Sequence, residues 1–487
     1  MKKEKKNPSL LHSLIPLLFL VVLLALNVNQ FGDNASYGPN QIALLMTAAL
    51  TSLIALKLGY SWDELVKGIV KSISSAMAAI LILLMIGSLT GTWMLSGVVP
   101  AMIYYGLDIL NPSILLLAAC LVSAIVSLAT GSSWSTTATI GIALIGIGRA
   151  LEVPDGLIAG AVISGAYFGD KMSPLSDTTN LAPAMAGTDL FTHIRYMAYT
   201  TGPSFVITLL IFLLWGFTLP TEGTTSQVVE TRELISSKFY MTPWLFLVPI
   251  AVIVSIVKKM PALPAIFVGT LLGGVFAFIF QPDIIKEVGG DTGFKGGYTA
   301  IISSMFTELH FNTGVEAVDK LLTSKGMEGM LNTVWLILCA MVFGGVMEMC
   351  GMLKKLADFI IGFARSTGSL IAATAGTCFV FNTTASDQYI AIVVPGRMFR
   401  STFKERGLAP ENLSRTLEDS GTVTSVLIPW NTCGAYQSGV LGVATGDYFM
   451  YCFFNLISPF MTIIFGIFNI KIRKLNNLGQ KKQDFDE

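Results

Sequence analysis

Charge is scarce in this sequence. Only 13% of its residues are Asp, Glu, Lys or Arg, against about a quarter in a water-soluble domain. The 31 basic and 31 acidic residues balance to zero, so there is no basic surplus to draw nucleic acid, and none is expected as a partner. Histidine is nearly absent. His12, His193 and His310 stand singly, and each is expected at an interface rather than in a catalytic site. The six cysteines (Cys120, Cys339, Cys350, Cys378, Cys433, Cys452) lie in apolar stretches or at their ends. Their spacing fits neither a metal site nor a disulfide framework, so they are expected as small core residues. There is no His-Glu-x-x-His and no Gly-x-Ser-x-Gly. Phe168-Gly169-Asp170 lacks the glycine two positions before Gly169 that a Gly-x-Gly-Asp motif needs. Those absences remove an intramembrane protease, and the chain is expected to be neither an enzyme nor a holder of a cofactor.

What is abundant is apolar surface: 53% of residues, with a mean hydropathy of +0.67. A soluble fold could not hide that much, so lipid is the second solvent. A membrane-crossing helix needs about 20 apolar residues, and apolar runs from 10–30 to 449–471 predict an all-α polytopic membrane protein with roughly 11–14 membrane segments. The run Leu10–Leu26 after the N-terminal lysines is expected as the first of them rather than as a signal peptide, since no small-x-small site follows it. Runs 134–150, 156–169 and 386–398 are too short to cross alone and stop at polar, Gly-rich or Pro-containing breaks. Interrupted helices of this kind predict re-entrant hairpins around a transport site. Basic residues at 2–6, 57–71, 258–259, 354–355, 397–406 and 471–482, with none in 31–40 or 97–111, predict an inner-membrane protein whose N- and C-termini are cytoplasmic.

Residues 86–219 and 342–471 run through one order of features. Ser96-Gly97 matches Cys350-Gly351, Thr130-Gly131-Ser132-Ser133 matches Asn382-Thr383-Thr384, Pro174 to Thr179 matches Pro429 to Thr432, and Pro203 matches Pro459. The charge rule sets 73–96 and 331–350 in opposite directions, which predicts inverted-topology repeats. The expected divisions are an N-terminal two-helix segment (1–72), a first repeat (73–219), connecting helices with an external excursion (220–330), a second repeat (331–472) and a cytoplasmic tail (473–487). A surface helix is expected near Val315 to Leu322.

Three constellations carry chemistry. Gly169-Asp170-Lys171-Met172-Ser173-Pro174-Leu175-Ser176-Asp177-Thr178-Thr179-Asn180 concentrates carboxylate, hydroxyl and amide oxygens at a proline break, the ligand type a hard cation takes. Its counterpart is Leu417-Glu418-Asp419-Ser420-Gly421-Thr422, leading to Pro429-Trp430-Asn431-Thr432-Cys433-Gly434. The third is the pair of polar breaks around Ser133 and around Thr384 and Asp387, where helix N-termini suit an anion and freed carbonyls with Asp387 suit a cation. Glu348, inside an apolar run, is a functional candidate because a charge at mid-membrane costs about 2.5–3.5 kcal/mol. Its place near a helix end also allows a boundary role.

The 169–180 motif and the 417–422 and 428–434 motifs resemble the signatures of the NhaC family of Na⁺/H⁺ antiporters. Trp93 within Gly-Thr-Trp-Met-Leu-Ser-Gly and the stretch from Leu331 to Glu348 are similar too, and the likeness runs from about residue 40 to 471. The resemblance implies Na⁺/H⁺ exchange, or the related Na⁺-lactate/malate-proton exchange in which a small carboxylate moves with the ions. A shielded carboxylate holds a proton or, once ionised, a cation, but not both. On that basis the candidate carriers are Asp170, Asp177 and Asp387, then Asp419, with Na⁺ held by Asp177 and Asp387. Thr178, Asn180, Asn431, Ser133 and Thr384 are candidate neutral ligands, and Lys171 is a candidate counter-charge. An organic-anion or amino-acid carrier on the same scaffold is the alternative. Expected partners are Na⁺, H⁺, the bilayer and a second copy in a homodimer.

Overall fold

A computed structural model describes residues 5–219 and 224–475. The first four residues and most of the expected tail, 476–487, lie outside the described residues, and with them several of the lysines that orient the chain. Among the described residues the protein is helical, with one two-residue antiparallel strand pair, Leu309–His310 against Thr323–Ser324.

Seven helices are long and apolar enough to cross a membrane, or up to nine if each of two bent pairs is one span. This is a multi-pass membrane protein. That count takes only long apolar helices and bent pairs; other broken or shorter segments expected beside them are outside it. The 134–150 run starts as a four-residue helix and passes through a π turn at Thr137–Gly141 before Ile142–Ala150. The 420–442 run breaks before Asn431. The 386–398 run becomes Gln388–Glu405, whose far end carries Arg397, Arg400 and Lys404.

Trp62–Leu95, at 34 residues, is about 50 Å long, well over the ~30 Å of hydrocarbon. Its extra turns are the charged first ones, opened by a capping box in which Ser61 N donates to Glu64 Oε2 (3.0 Å) and Glu64 N to Ser61 Oγ (3.4 Å). It crosses Leu331–Met349 at paired glycines. A Cβ on Gly68 would lie 2.9 Å from Gly345 O, and one on Gly345 would lie 2.8 Å from Gly68 O. Along this and other long helices, leucine, valine and phenylalanine side chains face outward, among them Leu81, Leu214 and Phe278. Water would penalise such a surface and lipid does not.

The two halves have the same order of elements. In the first, Gly97 (φ +76) turns the chain into Val98–Ile109. Pro112–Thr130, a break, the helical segment 133–150 with its π turn, Asp155–Met172, a second break, Asp177–Ala186 and Leu190–Gly216 follow. In the second, Gly351 (φ +74) turns it into Met352–Ile361. Thr367–Thr384, a break, Gln388–Glu405 and Pro410–Leu417 follow, then a second break, Thr432–Leu441 and Phe453–Ile467. A π turn lies beside a break in each half, at Thr137–Gly141 and Glu418–Thr422.

Within 282–330, Glu316–Leu321 is the short helix expected there. Phe294–Phe306 is packed into the bundle instead of standing clear of it: Ser88 Oγ donates to Met305 O (3.0 Å). Glu348 sits at a helix end, half-buried, in an ion pair with the exposed Lys71 at 2.9 Å, which is the boundary role.

Close backbone packing holds the helix that carries Asp170 and Lys171. On Asp155–Met172, Cβ atoms at Gly165 and Gly169 would lie 2.0 Å from Cys120 O and 2.3 Å from Ala124 O, so this helix and Pro112–Thr130 touch backbone to backbone. Ser127 Oγ seals the contact by donating to Ala166 O (2.6 Å). Gly165→Ala is expected to force the pair apart at a cost of about 1–3 kcal/mol, lowering the unfolding temperature of detergent-purified protein by several degrees. Gly202→Ala, where a Cβ would meet nothing within 4 Å, is expected to leave it unchanged or slightly higher. Thermal unfolding of the two variants side by side checks both.

Candidate functional site

Each half brings its two breaks together. In the first, Gly131 (φ +71) reverses the chain after Thr130, and a Cβ there would lie 2.6 Å from Leu175 Cβ. Ser132 caps the next helix, accepting from Ser135 N (3.1 Å). Ser133 donates to Asp170 Oδ2 twice, from its backbone N (2.9 Å) and its hydroxyl (2.6 Å). The second break is tied by Thr179 Oγ1, which donates to Lys171 O (3.0 Å), and by Asn180 Nδ2, which donates to Pro174 O (3.0 Å) and Ser176 O (2.7 Å). Ser176 caps Asp177–Ala186.

In the other half, Ser386 sits at φ +60, an uncommon conformation for a residue with a Cβ. Asp387 caps Gln388–Glu405 through Ile390 N (3.0 Å). The partner break is stitched to this one: Trp430 Nε1 donates to Thr383 O (2.8 Å), Asn431 Nδ2 to Asn382 O (2.9 Å), and Thr432 N to Ser386 O (2.9 Å). Asn431 Oδ1 caps its own helix through Cys433 N (3.0 Å). The halves meet where Trp134 and Tyr436 stack, ring centroids 3.9 Å apart, with Tyr436 OH donating to Trp134 O (3.0 Å).

A cavity of about 670 Å³ lies among these breaks. Asp170, Asp177, Thr178 and Asp387 all line it, with Ser132, Thr432 and the ring of Trp134. Asp387 is buried, Asp170 partly so, and Asp177 exposed. No hydrogen bond to the Asp177 side chain is formed among the described residues. Four helix N-termini, capped by Ser132, Ser176, Asp387 and Asn431, border the cavity, and their partial positive charge offsets part of the repulsion among three carboxylates. Among the described residues no three His, Cys, Asp or Glu side chains cluster tightly enough to chelate a metal ion.

The remaining candidates lie elsewhere. Ser133 is buried and holds Asp170. Asn431 is committed to bridging and capping. Thr384 Oγ1 donates to Val380 O one turn back (2.7 Å), and Asn180 is exposed, away from the cavity lining. Asp419 is fully buried in an ion pair with Lys171, behind the cavity. His193 departs from expectation. It is fully buried, its Nδ1 2.9 Å from Ser414 Oγ, because Leu190–Gly216 packs against Pro410–Leu417 along that face.

Two lining residues escaped notice in the sequence. Tyr389, two positions after Asp387, lies within the electrostatic reach of Asp170, Asp177 and Asp387. Lys259 also lines the cavity; in the sequence it served only to mark a cytoplasmic end, although the adjacent Met260-Pro261 helix break was a signal.

The model of the Na⁺/H⁺ antiporter family matches residues 165–470. The Na⁺/H⁺ antiporter NhaC of Alkalihalophilus pseudofirmus is 37% identical over 441 residues, 91% of this chain and 93% of that protein. The malate-2H⁺/Na⁺-lactate antiporter of Bacillus subtilis is 35% identical over 466 residues, 95% of this chain and 96% of that one. The arginine/ornithine antiporter ArcD of Halobacterium salinarum is 35% identical, covering 95% and 92%. Among solved structures, Neisseria gonorrhoeae MtrF covers 94% of this chain and 95% of its own at 13% identity, with a TM-score of 0.39.

Asn431→Ala removes a cap and the bridge between two breaks at once, and is expected to cost about 2–3 kcal/mol. Thr384→Val removes a hydroxyl bonded within its own helix and is expected to cost under about 1 kcal/mol. Thermal unfolding in detergent separates them, and equal unfolding temperatures for Asn431→Ala and wild type would reject the bridging role.

Proposed function

The chain belongs to the Na⁺/H⁺ antiporter family, and we propose that it exchanges Na⁺ for H⁺ at the carboxylates of the cavity between its broken helices. The observation that carries this is that Asp170, Asp177 and Asp387, from three separate helices, line one cavity. Three carboxylates face a single lining ammonium, Lys259, so the site attracts cations. Asp177 is the least committed, and its oxygens are available to a hard cation. Asp387 is held in place by the helix it caps, and Asp170 by Ser133. A proton and Na⁺ compete for these oxygens. A cavity that opens to one side at a time converts that competition into exchange, with no chemical step required.

The segments 73–219 and 331–472 serve in this proposal as inverted halves that rock about the cavity. Their shared element order and the basic residues at their ends support it, and both termini are then cytoplasmic.

A second exchange fits one observation. A cavity of about 670 Å³ is in the size range of small-molecule sites, roughly 300–1,000 Å³, and far larger than one dehydrated Na⁺ needs. The relatives include a malate/lactate exchanger and an arginine/ornithine exchanger. Lys259 and four helix N-termini offer a carboxylate its partners, and the three aspartates offer an amine its own.

In everted vesicles, Asp177→Asn and Asp387→Asn are expected to reduce Na⁺-driven proton movement by about tenfold or more, and wild-type rates in both would reject them as carriers. Purified protein in liposomes with an internal pH dye distinguishes the substrates. Na⁺ alone is expected to move protons. A response that appears only when lactate, malate or a basic amino acid is added would transfer the proposal to the organic ion.

A further inference from the structure

Behind the cavity lies a second group of ionisable side chains, sealed from it. Lys171 and Asp419 form an ion pair with no exposure on either side. Lys171 Nζ also donates to Ser458 Oγ (2.9 Å), and Thr200 Oγ1 donates to Asp419 Oδ2 (2.8 Å). Glu418, fully buried and adjacent in sequence, does not join the pair. Its Oε1 accepts from Thr178 Oγ1 (3.0 Å), while its Oε2 has no partner among the described residues. The Thr422 hydroxyl, which makes no other hydrogen bond among the described residues, lies close to the Glu418 carboxyl.

An ionised carboxylate served only by hydroxyls, away from water, costs several kcal/mol. The nearest cation, Lys171, is already committed to Asp419. Lys171, Asp419 and Glu418 together are neutral when Glu418 carries its proton; the buried Arg415 guanidinium, whose nitrogens have no hydrogen bond among the described residues, stands outside this group. The other charged and titratable groups around Glu418 are Asp170 near the end of Asp155–Met172, Cys378 on Thr367–Thr384, and Arg415 one turn back. The Arg415 guanidinium is turned to the Tyr196 ring at 4.6 Å.

Thr178 connects the two regions. It lines the cavity next to Asp177, its hydroxyl reaches Glu418, and Ser176 Oγ lies 3.2 Å from it. We propose that Glu418 is a second proton carrier, loaded and emptied from the cavity through the Thr178 hydroxyl and separate from the oxygens that compete for Na⁺. To empty it, a proton passes from Glu418 to Thr178 Oγ1 as the Thr178 proton passes to a water or carboxylate in the cavity. Glu418 is left as a carboxylate accepting from Thr178, one base in the cavity is protonated, and no other bond changes. Lys171 stays paired with Asp419, and its charge acts on Glu418 through space in the emptied state.

This rests on the cavity carboxylates binding Na⁺, and the test separates the two. In proteoliposomes the readout is the quotient of Na⁺-driven proton flux to ²²Na⁺/Na⁺ counterflow, which turns over no proton. Glu418→Gln and Thr178→Val are expected to lower the quotient by about tenfold or more. Glu418→Asp and Thr178→Ser, which keep the carboxyl and the hydroxyl, are expected to return most of it. A quotient equal to wild type in Glu418→Gln and Thr178→Val overturns the proposal, and so does loss of both fluxes in equal proportion. Failure of the cavity itself shows differently, as normal counterflow in Asp177→Asn.

Discussion

A helix that stops inside a membrane protein leaves about four amides at its start and four carbonyls at its end without intrahelical partners, and no bulk water to supply them. That constraint organises this molecule. Four helix starts converge on its interior, and each is capped by a side chain of the break that precedes it: Ser132, Ser176, Asp387 and Asn431. The rest of the demand is met break to break, through Ser133 and Asp170 in one half and through Trp430, Asn431 and Thr432 in the other. Polar residues are placed in the centre because the backbone there requires them. Once placed, they line a cavity.

The same requirement sorts the acids into two layers. Those facing the cavity retain oxygens that are not used structurally; Asp387 spends one on its cap, and Asp177 spends none. Those behind it are sealed, with Asp419 paired to Lys171 and Glu418 accepting from Thr178, which lines the cavity. A cation entering the cavity meets the first layer directly and the second through one hydroxyl. Around both layers the glycine contacts of Asp155–Met172 with Pro112–Thr130 fix where Asp170 and Lys171 sit. Trp134 and Tyr436 stack where the two halves meet, with Tyr436 OH donating to Trp134 O.

Much of this was legible because breaks are written locally. Pro174, Pro429, Gly131 and the Ser/Thr runs punctuate apolar sequence in a way that permits few alternatives, and the membrane class follows from composition. Pairings across the fold were not legible. Lys171 and Asp419 are 248 positions apart, and a lysine next to Asp170 and six residues before Asp177 gives no sign of which acid it will meet. Which apolar runs form one continuous helix was not legible either, since a π turn or a stitched break interrupts hydrogen bonding without lowering hydropathy. His193 looked interfacial because it stands alone in the sequence, although the helix face that carries it is buried. Tyr389 and Lys259 reach the cavity only through tertiary placement.

The central claim is that Na⁺ and H⁺ compete for one set of shielded carboxylates. It is tested most directly at equilibrium, without transport. Na⁺ is titrated into purified protein in weakly buffered detergent solution while bound Na⁺ and released protons are counted together. The account predicts that each Na⁺ bound displaces protons, that the displacement shrinks as pH rises and the sites empty, and that Na⁺ binding tightens in step. Saturable Na⁺ binding that releases no protons at any pH would contradict it.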